Sequence, residues 1–212
     1  MADQLTFYMN PMSRAAIVRC MLEEVGQPYE TVVLDYGTTM KAPEYLAINP
    51  MGKVPAIKHG DTVVTEVAAI CAYLADAFPD AGLAPPPGSK ERGAYYRWMF
   101  FAAGPLEAAI IDRAALGITE IPAEKQPMVG YGSYDTVVDV LDSHVAAHEY
   151  IAGNRFTAAD VYVGSHLAWG TQFGTLPKRA SFDSYLARVL SRPAALRAKE
   201  LDDELRAKMP QP

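Results

Sequence analysis

The stretch Asn49-Pro50-Met51-Gly52-Lys53-Val54-Pro55-Ala56-Ile57 decides how the rest of this chain is read. Proline lacks the N–H that a strand ladder needs, so Pro55 belongs at a strand start, where a cis bond is tolerated. Residues 54–59 (VPAIKH) and 62–65 (TVVT) are then two short apolar runs parted by Gly60-Asp61, which is a hairpin signal. The stretch therefore opens the third strand of a sheet, and its hairpin partner is the fourth.

Working outward toward the N-terminus, residues 4–8 have strand character and stop at Asn10-Pro11. Ser13 is placed to cap a helix that runs to Val25 and ends at Gly26. Residues 29–34 (YETVVL) read as a second strand, which makes a βαβ unit with a parallel pair. A mostly polar segment follows, with a short turn of helix near Glu44-Tyr45-Leu46. Past the hairpin, residues 66–78 keep apolar side chains at Ala69, Ile70, Tyr73, Leu74 and Ala77, a helical spacing. The order is βαβ, then ββα.

Residues 79–88 (PDAGLAPPPG) are rich in proline and glycine and mark a linker. Beyond it the strand signal ends, and helical patterns cover 90–116, 134–148, 158–169, 182–190 and 193–208. The expected fold is α/β followed by all-α, with domains at 1–80 and 90–212 and a linker at 81–89. Neither an internal repeat nor a low-complexity tract is read.

Composition narrows the function classes. Of 212 residues, 50% are hydrophobic and 21% charged, which is the balance of a globular chain rather than a disordered one. The 19 basic and 25 acidic side chains leave a formal charge of -6 with no basic run, so nucleic acid and an anionic membrane surface are not expected partners. No segment approaches the roughly 20 apolar residues that cross a bilayer. The start, Met1-Ala2-Asp3-Gln4, lacks the basic and apolar regions of a signal peptide, so a cytoplasmic location is expected. Cys20 and Cys71 fit no CxxC or metal-ligand spacing; neither a metal site nor a disulfide is expected, and both read as small buried hydrophobes.

Four stretches carry a resemblance: Tyr8-Met9-Asn10-Pro11-Met12-Ser13-Arg14, the Asn49 to Ile57 stretch, Thr65-Glu66-Val67-Ala68-Ala69-Ile70, and Phe156-Thr157-Ala158-Ala159-Asp160. In this order and at this separation the chain resembles the glutathione S-transferase family of the bacterial, cytosolic, two-domain type. The resemblance covers nearly the whole chain. It implies a thioredoxin-like N-terminal domain, an α-helical bundle domain, glutathione as co-substrate, no metal, and a homodimer.

The resemblance also assigns roles. A Val-cis-Pro step turns the valine backbone outward, so the N–H and C=O of Val54, ahead of Pro55, pair by strand addition with the cysteinyl part of glutathione. Lys53 offers a cation to a glutathione carboxylate. Glu66 receives the γ-glutamyl ammonium, while helix N-terminal amides suit that group's carboxylate. Val67 stands where the family usually has serine; only its backbone N–H is left, and Thr65 or a partner subunit is the alternative source of the contact. Thr157 and Asp160 form a capping box, assigned to folding.

Holding the bound thiol as thiolate near neutral pH needs a hydrogen-bond donor and a positive potential, because a free cysteine has a pKa of about 8.5. Ser13, at the start of the first helix, is the first candidate. Tyr8, which ends the first strand as in the tyrosine-type classes, is the second, and Asn10 is a third donor. Cys20 lies two turns into its helix and Cys71 inside another, so neither is placed as a thiol nucleophile.

For a second substrate, the crowd Tyr95, Tyr96, Trp98, Met99, Phe100 and Phe101 exceeds one core stripe, and Tyr95, Trp98 and Met99, with Trp169, are expected to line an apolar pocket. Gly104-Pro105 is expected to bend that helix. The implied function is glutathione transfer to a small hydrophobic electrophile, in detoxification; the alternative is a non-catalytic binding or assembly module. The electrophile, and conjugation as against isomerase, lyase, dehalogenase or peroxidase chemistry, stay open.

Overall fold

Alternation at the start of the chain gives the first strand: Leu5, Phe7 and Met9 are buried, while Thr6 and Tyr8 are half-buried on the opposite face. The structure is a computed structural model that describes residues 3–209. Met1, Ala2 and the last residues of the expected second domain therefore lie outside the described residues. Two compact units form, one running to Leu83 and taking in the chain from Arg192 onward, the other spanning Ala84–Ser191.

The first unit is built on a four-stranded sheet: β1 (Leu5–Met9), β2 (Glu30–Val33), β3 (Ala56–His59) and β4 (Thr62–Thr65), in the order β2-β1-β3-β4. β1 runs parallel to β2 and antiparallel to β3, and β3 pairs with β4 as a hairpin. The crossover between β1 and β2 is α1 (Ala15–Val25), which stops where Gly26 takes the left-handed conformation at φ 72. Helix α3 (Val67–Ala77) follows the hairpin and packs on α1 and on β3. The short α2 (Pro43–Leu46) belongs to a smaller core of Leu34, Met40, Tyr45 and Ala56, against which Tyr8, Val32, Ile48 and Val54 pack.

The expected βαβ-ββα order is present. Two boundaries differ. The first helix begins at Ala15 rather than Ser13, and the third strand at Ala56, leaving Val54 and Pro55 just ahead of it. The chain from Arg192 carries α9 (Pro193–Lys208), which packs along α1 in the first unit rather than joining the helical one. A buried ion pair joins the two helices: Arg19 Nε donates to Asp202 Oδ1 at 2.6 Å, with both side chains 3% exposed. Arg19 also donates to Tyr29 Oη at 3.1 Å and lies over the Phe7 ring. At the start of α9, Arg192 holds Glu24 of α1 through two bonds of 2.6 and 2.7 Å.

The second unit is helical: α4 (Lys90–Phe101), α5 (Glu107–Ala114), α6 (Tyr134–Ala147), α7 (Ala158–Phe173) and α8 (Ala180–Leu190). Between α4 and α5 the helix widens into a π turn at Ala102–Leu106 that contains Pro105. The expected interruption at Gly104-Pro105 takes this form because proline supplies no N–H to the regular ladder. The capping box of α7 is present: Asp160 Oδ2 accepts from Thr157 N at 2.8 Å. Its carboxylate also accepts from Ile151 N and Tyr185 Oη, so a group whose pKa burial pushes upward is held by four donors.

Candidate active site

Strand register explains why residues far apart in sequence share one place. Tyr8 is paired with Val32 on one side and Ala56 on the other, and Ala56 is paired with Thr65. A single row therefore crosses the sheet near the C-terminal end of β1, the N-terminal start of β3 and the C-terminal end of β4. Ser13 lies five residues past that row, Val54 two before it and Glu66 one after it, so all three emerge at the same end of the sheet.

The Val54-Pro55 peptide is cis. The N–H and C=O of Val54 make no hydrogen bond among the described residues, whereas the carbonyls just before it are held firmly. Lys53 O accepts from Tyr45 Oη at 2.6 Å and from Asn49 Nδ2 at 2.7 Å, and Gly52 O accepts from Lys41 Nζ at 2.7 Å. The Lys53 side chain is exposed and Pro55 is buried. An unpaired main-chain donor and acceptor on a braced loop is the arrangement that an added extended peptide requires.

At the other side of the row, Ser13 Oγ accepts from Ala15 N at 3.1 Å and donates to Asn10 O at 2.7 Å. It stands one residue ahead of Arg14, the N-cap of α1, near the helix start where orphan amides and the helix dipole favour an anion. Tyr8 is half-buried with its ring 5.6 Å from that of Tyr45, and its hydroxyl has no hydrogen-bond partner among the described residues. Asn10, the third expected donor, lies in the turn ahead of α1. It is buried, with Nδ2 donating to Leu34 O at 2.8 Å and Oδ1 accepting from Met12 N at 2.9 Å, so its amide braces the turn.

Glu66 is the residue before α3 and has φ 67, ψ 120, the one non-glycine with positive φ among the described residues. Such a conformation costs about 1–3 kcal/mol and persists where the surroundings fix it. The side chain is exposed, and the amides of Val67, Ala68 and Ala69 open the helix without side-chain caps. Neither thiol is poised as a thiolate: burial pushes Cys20 up to about 12, with Glu24 adding to it, and raises Cys71 as well. Among the described residues no group of three His, Cys, Asp or Glu is placed to hold a metal, and no helix is long and apolar enough to cross a membrane.

Residues 12–77 match the family model of the glutathione S-transferase N-terminal domain. A glutathione S-transferase of Zea mays is 31% identical over 171 residues, covering 74% of this chain and 73% of that one. This chain belongs to the glutathione S-transferase family. A second relative, from Xanthomonas campestris pv. campestris, is 29% identical over 185 residues, 82% of this chain and 89% of its own. A sphingomonad glutathione S-transferase solved in complex with glutathione superposes with a TM-score of 0.76 at 27% identity, covering 93% of this chain and 98% of that one. All three are named as transferases, which gives the non-catalytic alternative no support.

Other expectations fare differently within this family member. Tyr95, Trp98 and Met99 are 0%, 1% and 3% exposed, so they offer almost no surface to a pocket. They lie at i, i+3 and i+4 on the inward stripe of α4, where Trp98 stacks on His144 with ring centroids 4.2 Å apart. The exposed aromatics of that helix are Tyr96 and Phe100. Trp169 is half-buried on α7, one turn before the exposed Phe173.

The sequence reading did not single out Tyr45, Asn49 or Lys41 as braces of the Val54 loop. One signal was available. Asn10-Pro11-Met12 and Asn49-Pro50-Met51 repeat the same tripeptide, and each asparagine closes the same turn by accepting the methionine N–H, at 2.9 and 3.1 Å.

Proposed function

We propose that this transferase binds glutathione across the end of the sheet where Ser13, Val54 and Glu66 emerge, activates its thiol, and adds the thiolate to a small hydrophobic electrophile. The observation that carries this reading is the pair of unpaired main-chain groups on Val54, at the end of the sheet from which the chain also leads into α1. The cysteinyl backbone of glutathione adds to Val54, and its sulfur meets Ser13, with Tyr8 as the second donor. Glu66 receives the γ-glutamyl ammonium, the Val67 amide the neighbouring carboxylate, and Lys53 the glycyl carboxylate.

The Ser13 proton rests on Asn10 O, a neutral bond. Turning about Cβ–Oγ exchanges it for a charge-assisted bond to thiolate, roughly twice as strong, with no heavy atom displaced. Asn10 O keeps the Ser13 N–H at 3.1 Å, so the exchange orphans nothing. A cytosolic enzyme of detoxification, working as a homodimer whose neighbouring subunit completes the contact that Val67 lacks, is the setting that fits this chemistry.

Titration calorimetry with glutathione, followed by turnover with a chlorodinitrobenzene, tests the proposal. Saturable binding at millimolar glutathione or below and thioether formation are expected; absence of binding at millimolar glutathione overturns it.

A further inference from the structure

Lys53 O and Val54 N–H belong to the same peptide group, and the oxygen is where this structure concentrates donors. Tyr45 Oη at 2.6 Å and Asn49 Nδ2 at 2.7 Å both point at it, which uses both of its lone pairs. Tyr45 is 3% exposed and belongs to the small core with Leu34, Met40 and Ala56; Asn49 is 4% exposed. These donors are therefore fixed by packing. Bonds accepted at a carbonyl draw charge from the amide, and in a buried setting such polarisation passes along the chain of bonds. The N–H at the other end of that peptide is the one on Val54 that has no partner among the described residues.

We infer that Tyr45 is a positioning residue for glutathione: its hydroxyl, with Asn49, orients and polarises the Lys53–Val54 peptide so that Val54 N–H is a stronger donor to the cysteinyl carbonyl. The inference rests on the glutathione site proposed above. Burial pushes the Tyr45 phenol up to about 12, so it keeps its proton and remains a donor across the working pH range. The same ring touches Tyr8 at 5.6 Å, which places Tyr45 between the thiol side of the site and the peptide side. Its hydroxyl can be removed without touching that packing, because Tyr45→Phe keeps the ring, and Asn49 still satisfies the carbonyl.

The experiment has two readouts. In the ligand-free protein, amide NMR of Tyr45→Phe is expected to move the Val54 proton upfield while the amides of the β1–β3 ladder keep their shifts. In the second, glutathione affinity falls by about twofold, because the bond from Val54 N–H is weakened and not lost, and the fall appears in the KM for glutathione with kcat unchanged. γ-Glutamylcysteamine lacks the cysteinyl carbonyl; it binds wild type and variant equally if the effect passes through Val54 N–H. An unmoved Val54 amide, or an equal loss for both ligands, overturns the inference. Failure of the wild type to bind glutathione would overturn the site itself, and is told apart from these because the ligand-free amide shift is read without any ligand.

Discussion

Ser13→Ala tests the thiol chemistry most directly, and its size can be worked from the bonds present. A charge-assisted hydrogen bond to thiolate contributes about 1.5–3 kcal/mol, and forming it forfeits the neutral bond to Asn10 O, about 1 kcal/mol. The net is about 0.5–2 kcal/mol in favour of the anion. At 1.36 kcal/mol per pKa unit, the thiol of bound glutathione rises by about one unit in the variant, and a thiol that is about half ionised at pH 7 drops to about one tenth ionised. The dipole of α1 still acts on the sulfur after the change, which limits the loss. Ala15 N–H loses its acceptor as well, for about 1 kcal/mol of stability, and a thermal melt measures that separately. The decisive assay is ultraviolet thiolate absorbance of the glutathione complex as a function of pH, with Tyr8→Phe in parallel. The reasoning is refuted if Ser13→Ala leaves the titration in place while Tyr8→Phe moves it upward; the phenol would then hold the role.

Two further outcomes are expected. His144 is held neutral: burial lowers its pKa below 6.5, helped by His148 and Arg97 and opposed by the bond to Ile151 O at 2.9 Å. The unfolded chain takes up a proton below about pH 6.5 that the folded one resists, so stability is full above that pH and falls on acidification, by at most about 1.4 kcal/mol per unit. Urea unfolding between pH 7 and 5 should show this slope, and His144→Gln should flatten it. The proposed homodimer predicts a light-scattering mass of about twice 23.1 kDa at micromolar concentration, with Tyr96 and Phe100, 44% and 71% exposed, as apolar surface available for a second copy; a monomer mass with full glutathione affinity would remove both the dimer and its shared contact.

Much of the first unit is legible in sequence because strand alternation, turn residues and a helix-stopping Gly26 act locally. The convergence of Ser13, Val54 and Glu66 is a matter of register, which a single chain reveals only through a familiar motif order. The Arg19–Asp202 pair spans 183 positions, and no local pattern announces a partner so distant. On α4 the periodicity separates Tyr95, Trp98 and Met99 from Tyr96 and Phe100, but with aromatics on both stripes it does not say which faces inward; packing against His144 of α6 decides it. Asn10 shows a different ambiguity: an amide beside a proline is as well suited to closing its own turn as to meeting a ligand, and here it is buried and closes the turn.

The docking of α9 on α1 has a consequence for how the protein is made. Synthesis delivers the chain from its N-terminus, and domains complete as their parts emerge. By the time Ser191 has left the ribosome, the helical unit is whole, while the sheet-bearing unit that began first still lacks its last helix. Until residue 202 arrives, Arg19 has no carboxylate and Phe7 lies beneath an unneutralised cation. The first unit to start is therefore the last to finish, and a chain arrested anywhere before α9 carries every residue proposed to hold glutathione on a scaffold that has not closed.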